Sequence, residues 1–457
     1  MSVEVESSSF RDPSGVVFRL DGVLYRQVNR IYQKQFDALV STSFYDKLMN
    51  TGMLINHQRV EGIDPVCSDA YCILRPQKVP FISYPYEWTF AQLKDAALLT
   101  LRLHRLALEN GFMLKDASAY NIQFLNGQPV LIDTLSFDFY QENKPWIAYG
   151  QFCRHFLAPL LLMRHVDIRL ISLLRLYIDG VPLDMVMRLL KGKGGLFAKQ
   201  HIAWHAKATL KHAQDGKGDV AGYTLRLPKS HQIALIESMI RGVEALALKN
   251  MQTEWGDYYA HTNYSAQGAQ DKHALVKAYL AEIVPKTLWD LGANDGTYSR
   301  LGLEIGASVV ALDIDPTAVM RNYNAVKKHK LDMLPLVFDL TNPSPSIGFA
   351  NSERLCLSAR QHPDCVLALA VIHHLAISNN LPLPKIAAWL ASFTNDLIIE
   401  FVPKSDSQVQ ILLATRDDIF TQYTQEDFER AFCEPFKLVK RETIAQSNRV
   451  LYWFHIK

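Results

Sequence analysis

No C-x-x-C pair occurs in this sequence. Its six cysteines, Cys67, Cys72, Cys153, Cys356, Cys365 and Cys433, are scattered along the chain, which indicates neither a zinc site nor a disulfide scaffold. Lysine–arginine runs are missing too, and the formal net charge is only +2, so no basic patch points to a nucleic-acid partner. Long hydrophobic runs are equally absent. The longest, 156–163, is flanked by Arg154 and Arg164 and is far too short to span a bilayer. The first ten residues, MSVEVESSSF, are acidic and polar, unlike a signal peptide. The expectation is a cytoplasmic, globular protein without a membrane. Its 457 residues exceed one typical domain, so two are expected, with a connector between them.

What is present centres on 286–315, KTLWDLGANDGTYSRLGLEIGASVVALDID. An apolar strand ends in Asp290. A turn comes next around Gly292 and Gly296, where backbone can approach a ligand with no Cβ in the way. Residues 297–305 have helical spacing with Gly306 as a stop, and 308–312 is a second strand closed by Asp313. This is the layout of the first unit of a nucleotide-binding doubly wound sheet. The turn reads D-x-G-x-N-x-G, with Asp290 and Asp295 beside it. Those acids would repel the pyrophosphate that a dinucleotide fingerprint binds; they suit a cationic sulfonium with an α-amino group. Asp313 lies 21 positions after Gly292, close to the distance at which a carboxylate receives ribose hydroxyls.

The stretch resembles the first motif of class I S-adenosylmethionine (SAM) dependent methyltransferases, with Asn294 where many members have glycine. The resemblance implies SAM as cofactor, held by Asp290, Gly292, Asn294, Gly296, Asp313, Ile314, Asp339, Leu340 and Ala370. Downstream, helical patterns alternate with apolar strands ending at Asp339, His373 and Glu400. That alternation predicts a mainly parallel sheet with ligands at the strand C-terminal ends. His373 and His374 are the candidate bases or acceptor-orienting groups, because imidazole titrates near neutrality; Glu400 is the next candidate. No Asn/Asp-Pro-Pro-Tyr segment comes after the fourth strand, which argues against the acceptors of methyltransferases acting on planar nitrogens.

The N-terminal part reads differently. Residues 16–28 alternate around Asp21-Gly22, a hairpin; 32–53 and 90–110 are helical, the latter stopped by Gly111. Then LKDASAYNIQF places Asp116 and Asn121 in a D-x-x-x-x-N spacing, and an apolar strand ends at Asp133. This resembles the catalytic loop and metal-binding acid of protein kinases. The resemblance implies a base at Asp116, metal ligands at Asn121 and Asp133, and Mg-ATP in this region if its cleft is active. Leu114-Lys115 replaces His-Arg, Asp133-Thr134-Leu135 replaces Asp-Phe-Gly, no glycine loop precedes the hairpin, and Arg26 is the nearest cation to a third-strand lysine. Residues 146–190 are helical in at least two segments and 191–195, KGKGG, is the best linker. His201 and His205 are one helical turn apart, read as exposed. Residues 215–222 are a loop, 231–247 a helix, and 255–259 with Tyr264 an aromatic entry that forms core or a lid.

The fold class expected is therefore α/β: a Rossmann-like class I methyltransferase sheet over 256–457, preceded by an α+β kinase-like domain over 1–195 and a helical connector over 196–255. Over nearly its full length the chain resembles a group of bacterial SAM-dependent methyltransferases related to host-specific nodulation proteins. The stretches that carry this are SFRDPSG (9–15), SYPYEW (83–88), LKDASAYNIQF (114–124), FCRHFLAPL (152–160), DLTNPSP (339–345) and EFVPKSDSQVQ (400–410). It implies a methyltransferase acting on a small-molecule or saccharide-like acceptor, with the kinase-like domain presenting or modifying substrate. A phosphotransferase regulated by a SAM-binding domain and a non-catalytic SAM-binding assembly factor stay open. Neither the acceptor atom nor the oligomeric state is legible.

Overall fold

The computed structural model describes residues 3–203, 227–248, 264–414 and 416–457. His205, the 215–222 loop and the 255–259 aromatics lie outside them. The chain divides into two compact units, Met1–Asn250 with Ser346–Arg354, and Met251–Pro345 with Leu355–Lys457. Among the described residues no helix is long and apolar enough to cross a membrane.

The first unit opens with a five-stranded antiparallel sheet, β1 (Val3–Val5), β2 (Gly15–Leu20), β3 (Val23–Asn29), β4 (His57–Val60) and β5 (Ala70–Pro76), in the order β1-β2-β3-β5-β4. Asp21 and Gly22, at φ 47° and 80°, make the tight β2–β3 turn with positive φ at both central positions, the twist a two-residue hairpin needs. The short β1 was not foreseen, and it makes β3 the third strand; Arg26, on β3, therefore does stand on a third strand. The helical stretch 32–53 is two helices, Gln33–Val40 and Ser43–Asn50. Thr42 breaks it by capping the second, its Oγ1 accepting the Tyr45 N–H at 3.4 Å. The helix Phe90–Glu109 is the spine of the unit, started by a Thr89–Gln92 capping box and burying Leu93, Ala96, Ala97, Leu101 and Leu108. Beyond it, β6 (Phe112–Leu114) pairs with β9 (Phe137–Phe139), and β7 (Ile122–Leu125) with β8 (Gln128–Leu131) through an Asn126-Gly127 turn. His201, read as exposed, is fully buried, its Nδ1 2.6 Å from the Tyr149 hydroxyl.

The second unit is a seven-stranded sheet in the order β12-β11-β10-β13-β14-β16-β15. Its strands are β10 (Thr287–Leu291), β11 (Ser308–Asp313), β12 (Met333–Val337), β13 (Cys365–Ala368), β14 (Asp396–Phe401), β15 (Phe436–Thr443) and β16 (Val450–Ile456). The strands β10 to β14 pair in parallel, while β16 runs antiparallel to both β14 and β15. The central strands are mostly apolar and almost wholly buried, as in parallel sheets covered on both faces. The chain steps from β10 out to β11 and β12, then crosses back to β13 on the other side of β10. That reversal opens a crevice at the C-terminal end of β10, the place where open α/β sheets bind ligands.

Candidate functional site

At the C-terminal end of β10 the sequence forces a specific backbone. Gly292, Asn294 and Gly296 have φ of 78°, 49° and 80°. Glycine accepts this left-handed region freely and asparagine better than most residues. A Cβ at Gly292 would lie 2.3 Å from Val371 Cγ2, and one at Gly296 would lie 2.4 Å from Asn322 Nδ2, so both glycines are also required by space. The turn is fastened by Asp313, whose Oδ2 accepts the Asn294 N–H at 2.8 Å while Oδ1 accepts the Asp315 N–H at 2.8 Å. Asp315 in turn caps the helix Pro316–His329. Asp290 is buried and takes a hydrogen bond from Ser299 Oγ at 2.6 Å. Burial pushes its carboxyl up to about 7, with Asp313 adding to the effect; burial pushes Asp313 to about 6. Two carboxyls titrating near neutrality at the sheet's switch point are poised for a partner that supplies positive charge or hydroxyl donors.

The remaining expected cofactor residues line the same edge. Asp339 lies just past β12, its Oδ1 accepting the Thr341 N–H at 2.8 Å and hydroxyl at 2.7 Å. Ile314 is exposed, Leu340 is half-buried, and Ala370, at φ 55°, is a strained non-glycine residue just past β13. His373 is buried with its ring 4.1 Å from that of His374, and its Nδ1 has no hydrogen-bond partner among the described residues. Burial, then His374, Arg449 and Lys272, hold the His373 imidazole well below its usual range. Burial and Arg449 lower His374 to about 4. Both rings are neutral at pH 7.

Glu400, at the end of β14, lies in a cluster that sequence reasoning missed. Lys272 Nζ is 2.6 Å from its Oε2, Arg449 Nη1 is 3.3 Å from Oε1, and the Tyr264 hydroxyl donates to Oε1. Arg449 also forks onto Asp406 at 2.7 and 3.1 Å. Burial alone would raise the Glu400 carboxyl, but Lys272 and Arg449 outweigh it and keep it below the usual range. Its lone pairs are committed to three donors, so it anchors the cluster. Lys272 comes from the helix Ala266–Ile283, and its charge is felt at Asp290. Its ammonium also lies 4.8 Å from the ring centre of Tyr298, just past the glycine turn.

In the first unit the structure brings Asp116, Asn121 and Asp133 together. Asp116 Oδ1 accepts the Ser118 N–H at 2.9 Å and Gln151 Nε2 at 2.7 Å. Burial and the charge of Asp133 raise its carboxyl, while the Asn121 side chain beside it lowers it. The Asn121 carbonyl accepts the Ile132 N–H at 2.8 Å. Asp133 is satisfied from within the chain: Arg26 Nη2 is 2.6 Å and the Leu135 N–H 3.1 Å from Oδ1, and Ser136 Oγ donates to Oδ2 at 2.5 Å. Burial pushes that carboxyl up, and Arg26, Ser136 and Leu135 together bring it below its usual range. Among the described residues no group of three His, Cys, Asp or Glu side chains could hold a metal ion.

No family model matches the chain. The nodulation protein NoeA of Rhizobium meliloti (strain 1021) is 36% identical over 455 residues, 98% of this chain and 95% of NoeA. Among solved structures, the N-methyltransferase NodS from Bradyrhizobium japonicum WM9 aligns with a TM-score of 0.33 and 12% identity over 42% of this chain and 98% of NodS. The magnesium protoporphyrin IX methyltransferase ChlM from Synechocystis PCC 6803 with bound S-adenosylhomocysteine (SAH) aligns with a TM-score of 0.32 and 17% identity, over 44% of this chain and 93% of ChlM.

Proposed function

The chain belongs to the family of the nodulation protein NoeA, and we propose that it is a SAM-dependent methyltransferase acting on a small-molecule or saccharide-like acceptor. One observation carries this reading: Asp290, the left-handed Gly292–Asn294–Gly296 turn and Asp313 meet at the switch point of a parallel sheet, with Asp313 fastening the turn through the Asn294 N–H. The residues fit the group. Asp313 offers a carboxylate to ribose hydroxyls, Asp290 offers charge to a cationic amino-acid end, and Asp339, Leu340 and Ile314 lie along the edge where a nucleoside base would rest.

When bound, SAM supplies an electrophilic methyl group that needs no further activation. The chain's own work is to align the acceptor atom and, for a hydroxyl or a protonated amine, to remove its proton. His373 suits the second task. It lies just past β13 on the ligand edge, it is neutral at pH 7 and so accepts rather than donates, and its Nδ1 lacks a partner among the described residues. From such an acceptor the proton would pass to an imidazole nitrogen of His373. His374, packed against it, orients the ring. Glu400, Lys272 and Arg449 form the floor of this end and fix the ends of β14 and β16.

Calorimetry with SAM and SAH on the wild-type chain tests the cofactor; absence of binding to either removes the reading. Once an acceptor is in hand, His373→Ala should lower turnover by about 10²–10⁴-fold, the usual contribution of a positioned base, with SAH affinity retained. Wild-type turnover in both His373→Ala and His374→Ala would place the base elsewhere. Joint loss of SAH binding would move the pair into the cofactor pocket.

A further inference from the structure

The helix Ala266–Ile283 carries a lysine into the interior of the second unit. Lys272 is 3% exposed, its ammonium 2.6 Å from Glu400 Oε2 and 3.3 Å from the Tyr264 hydroxyl oxygen. Arg449 is committed mainly to Asp406 and comes only to 3.3 Å of Glu400, so Lys272 is the nearer counter-ion of that carboxylate. Folding alone does not account for the pair. Two charges taken out of water regain in mutual attraction about what their desolvation costs, and apolar side chains of similar volume are often as stable there. Among the described residues Glu400 and Tyr264 occupy two of the three N–H donors that an ammonium carries, which leaves one for a further acceptor.

The ammonium stands where the parts of the ligand edge meet. Its Nζ is 4.8 Å from the ring centre of Tyr298. Tyr298 directly precedes Ser299, whose hydroxyl bonds Asp290. Burial raises the Asp290 carboxyl, and the charge of Lys272 opposes it. Burial, His374 and Arg449 lower the His373 imidazole, and Lys272 lowers it further. One ammonium thus reaches the acid of β10, the end of the glycine turn and the histidine past β13. The amino-acid end of SAM carries an α-ammonium and an α-carboxylate side by side. Asp290 suits the first, and the second needs a cation at the same place. Arg300, also beside the turn, is half-buried and donates to the Asp295 carbonyl at 3.0 Å, next to an acid that would repel a carboxylate.

We infer that Lys272 takes the carboxylate of that amino-acid end, and that Glu400 is the positioning residue that holds its ammonium in place. The inference rests on the SAM reading. Titration calorimetry of the full-length chain with three ligands tests it: SAH, decarboxylated SAH, and methylthioadenosine, which lacks the whole amino-acid end. The wild-type chain should prefer SAH to decarboxylated SAH by roughly 10–100-fold, the worth of a charge-assisted bond to a carboxylate. Lys272→Met should erase that preference and leave methylthioadenosine affinity unchanged, while Arg300→Met keeps the preference. Glu400→Gln, which loosens the hold on the ammonium, should fall between. Lys272→Met together with Glu400→Met removes both charges at once, so it keeps the fold if the single variant loses it, and it should lack the preference too. A preference that survives in either Lys272 variant overturns the inference. So does an equal weakening of all three ligands, which would make Lys272 a structural residue, and so does a wild-type chain that binds all three without preference. A wild-type chain that binds none of the three removes the SAM reading itself, and the inference falls with it.

Discussion

Both units gather carboxylates at the ends of strands, and they treat them in opposite ways. In the first unit, Asp133 has its charge met by Arg26 and its oxygens filled by Ser136 and the Leu135 N–H, which brings its carboxyl below the usual range. In the second, Asp290 is buried and Asp313 half-buried, with no cation bonded to either among the described residues, and their carboxyls rise to about 7 and 6. An acid satisfied by its own chain gains little from a ligand, whereas an acid left short of positive charge gains a great deal. On this contrast rests the proposal that the second unit, and not the Asp133 end of the first, takes the ligand.

The largest effect expected comes from a place where the second unit does satisfy its buried charge. Arg449→Met leaves Glu400 and Asp406 short of their shared partner, and removing one member of a buried ion cluster costs about 3–5 kcal/mol. Urea unfolding of the full chain should show it; a loss below about 1 kcal/mol would mean that water or Lys272 takes over and that the cluster is not rigid. Next, Asp313→Ala should weaken SAH binding by about 1.5–3 kcal/mol, the worth of hydrogen bonds to a charged acceptor, read by calorimetry. Wild-type affinity in that variant would erase the contrast between the units.

The pH dependence sharpens the same contrast. Asp290 and Asp313 have raised folded-state values, so the folded chain holds protons that the unfolded chain has lost above about pH 4. Their contribution to stability is therefore greatest at low pH and declines as pH rises from about 4 to 7. A cationic ligand favours the ionised forms, so SAM affinity should rise between about pH 5.5 and 8 with proton release on binding, and Asp290→Asn should flatten the rise. Calorimetry in buffers of different ionisation enthalpy checks this. Asp133 has the opposite sign. Its lowered value gives stability that is present above about pH 4 and lost as pH falls through the folded value. The smallest effect is that of Arg26→Met, which should cost about 1–2 kcal/mol at pH 7, less than a fully buried pair because both side chains retain some solvent contact. The cost should shrink as pH falls from 7 through the lowered folded value of Asp133. A loss that does not change with pH would mean that Arg26 acts by packing alone.

The parts legible in the sequence are those with local causes. The strand, turn, helix and acid of 286–315 each arise from neighbouring residues, as do the Asp21-Gly22 and Asn126-Gly127 turns. Edge strands were harder. β4 (HQRV) and β15 (FKLVKRET) are largely exposed, so neither shows the apolar alternation that marks a strand. The helix Ala266–Ile283 was missed although Val276, Tyr279 and Leu280 recur at helical spacing; Gln, Lys and Asp crowd its first turns, and Lys272 reads as a surface residue. The role of Arg449 had no local signal at all, since its partners Asp406 and Glu400 lie 43 and 49 positions away. Ion clusters are set by tertiary register, which spacing in one sequence does not encode.

The antiparallel course of β16 has an outcome for how such a chain can diverge. Because β16 runs against β14, Val450 pairs with Phe401 at the C-terminal end of β14, and the strand then carries Tyr452 and Phe454 back through the core. The preceding turn, closed by Ser447 Oγ donating to the Ile444 carbonyl and accepting the Arg449 N–H, carries the exposed Gln446 at its tip. Divergence thus has an inexpensive route. The tip can change length and polarity with the hydrophobic interior untouched, while a substitution a few residues later alters the core.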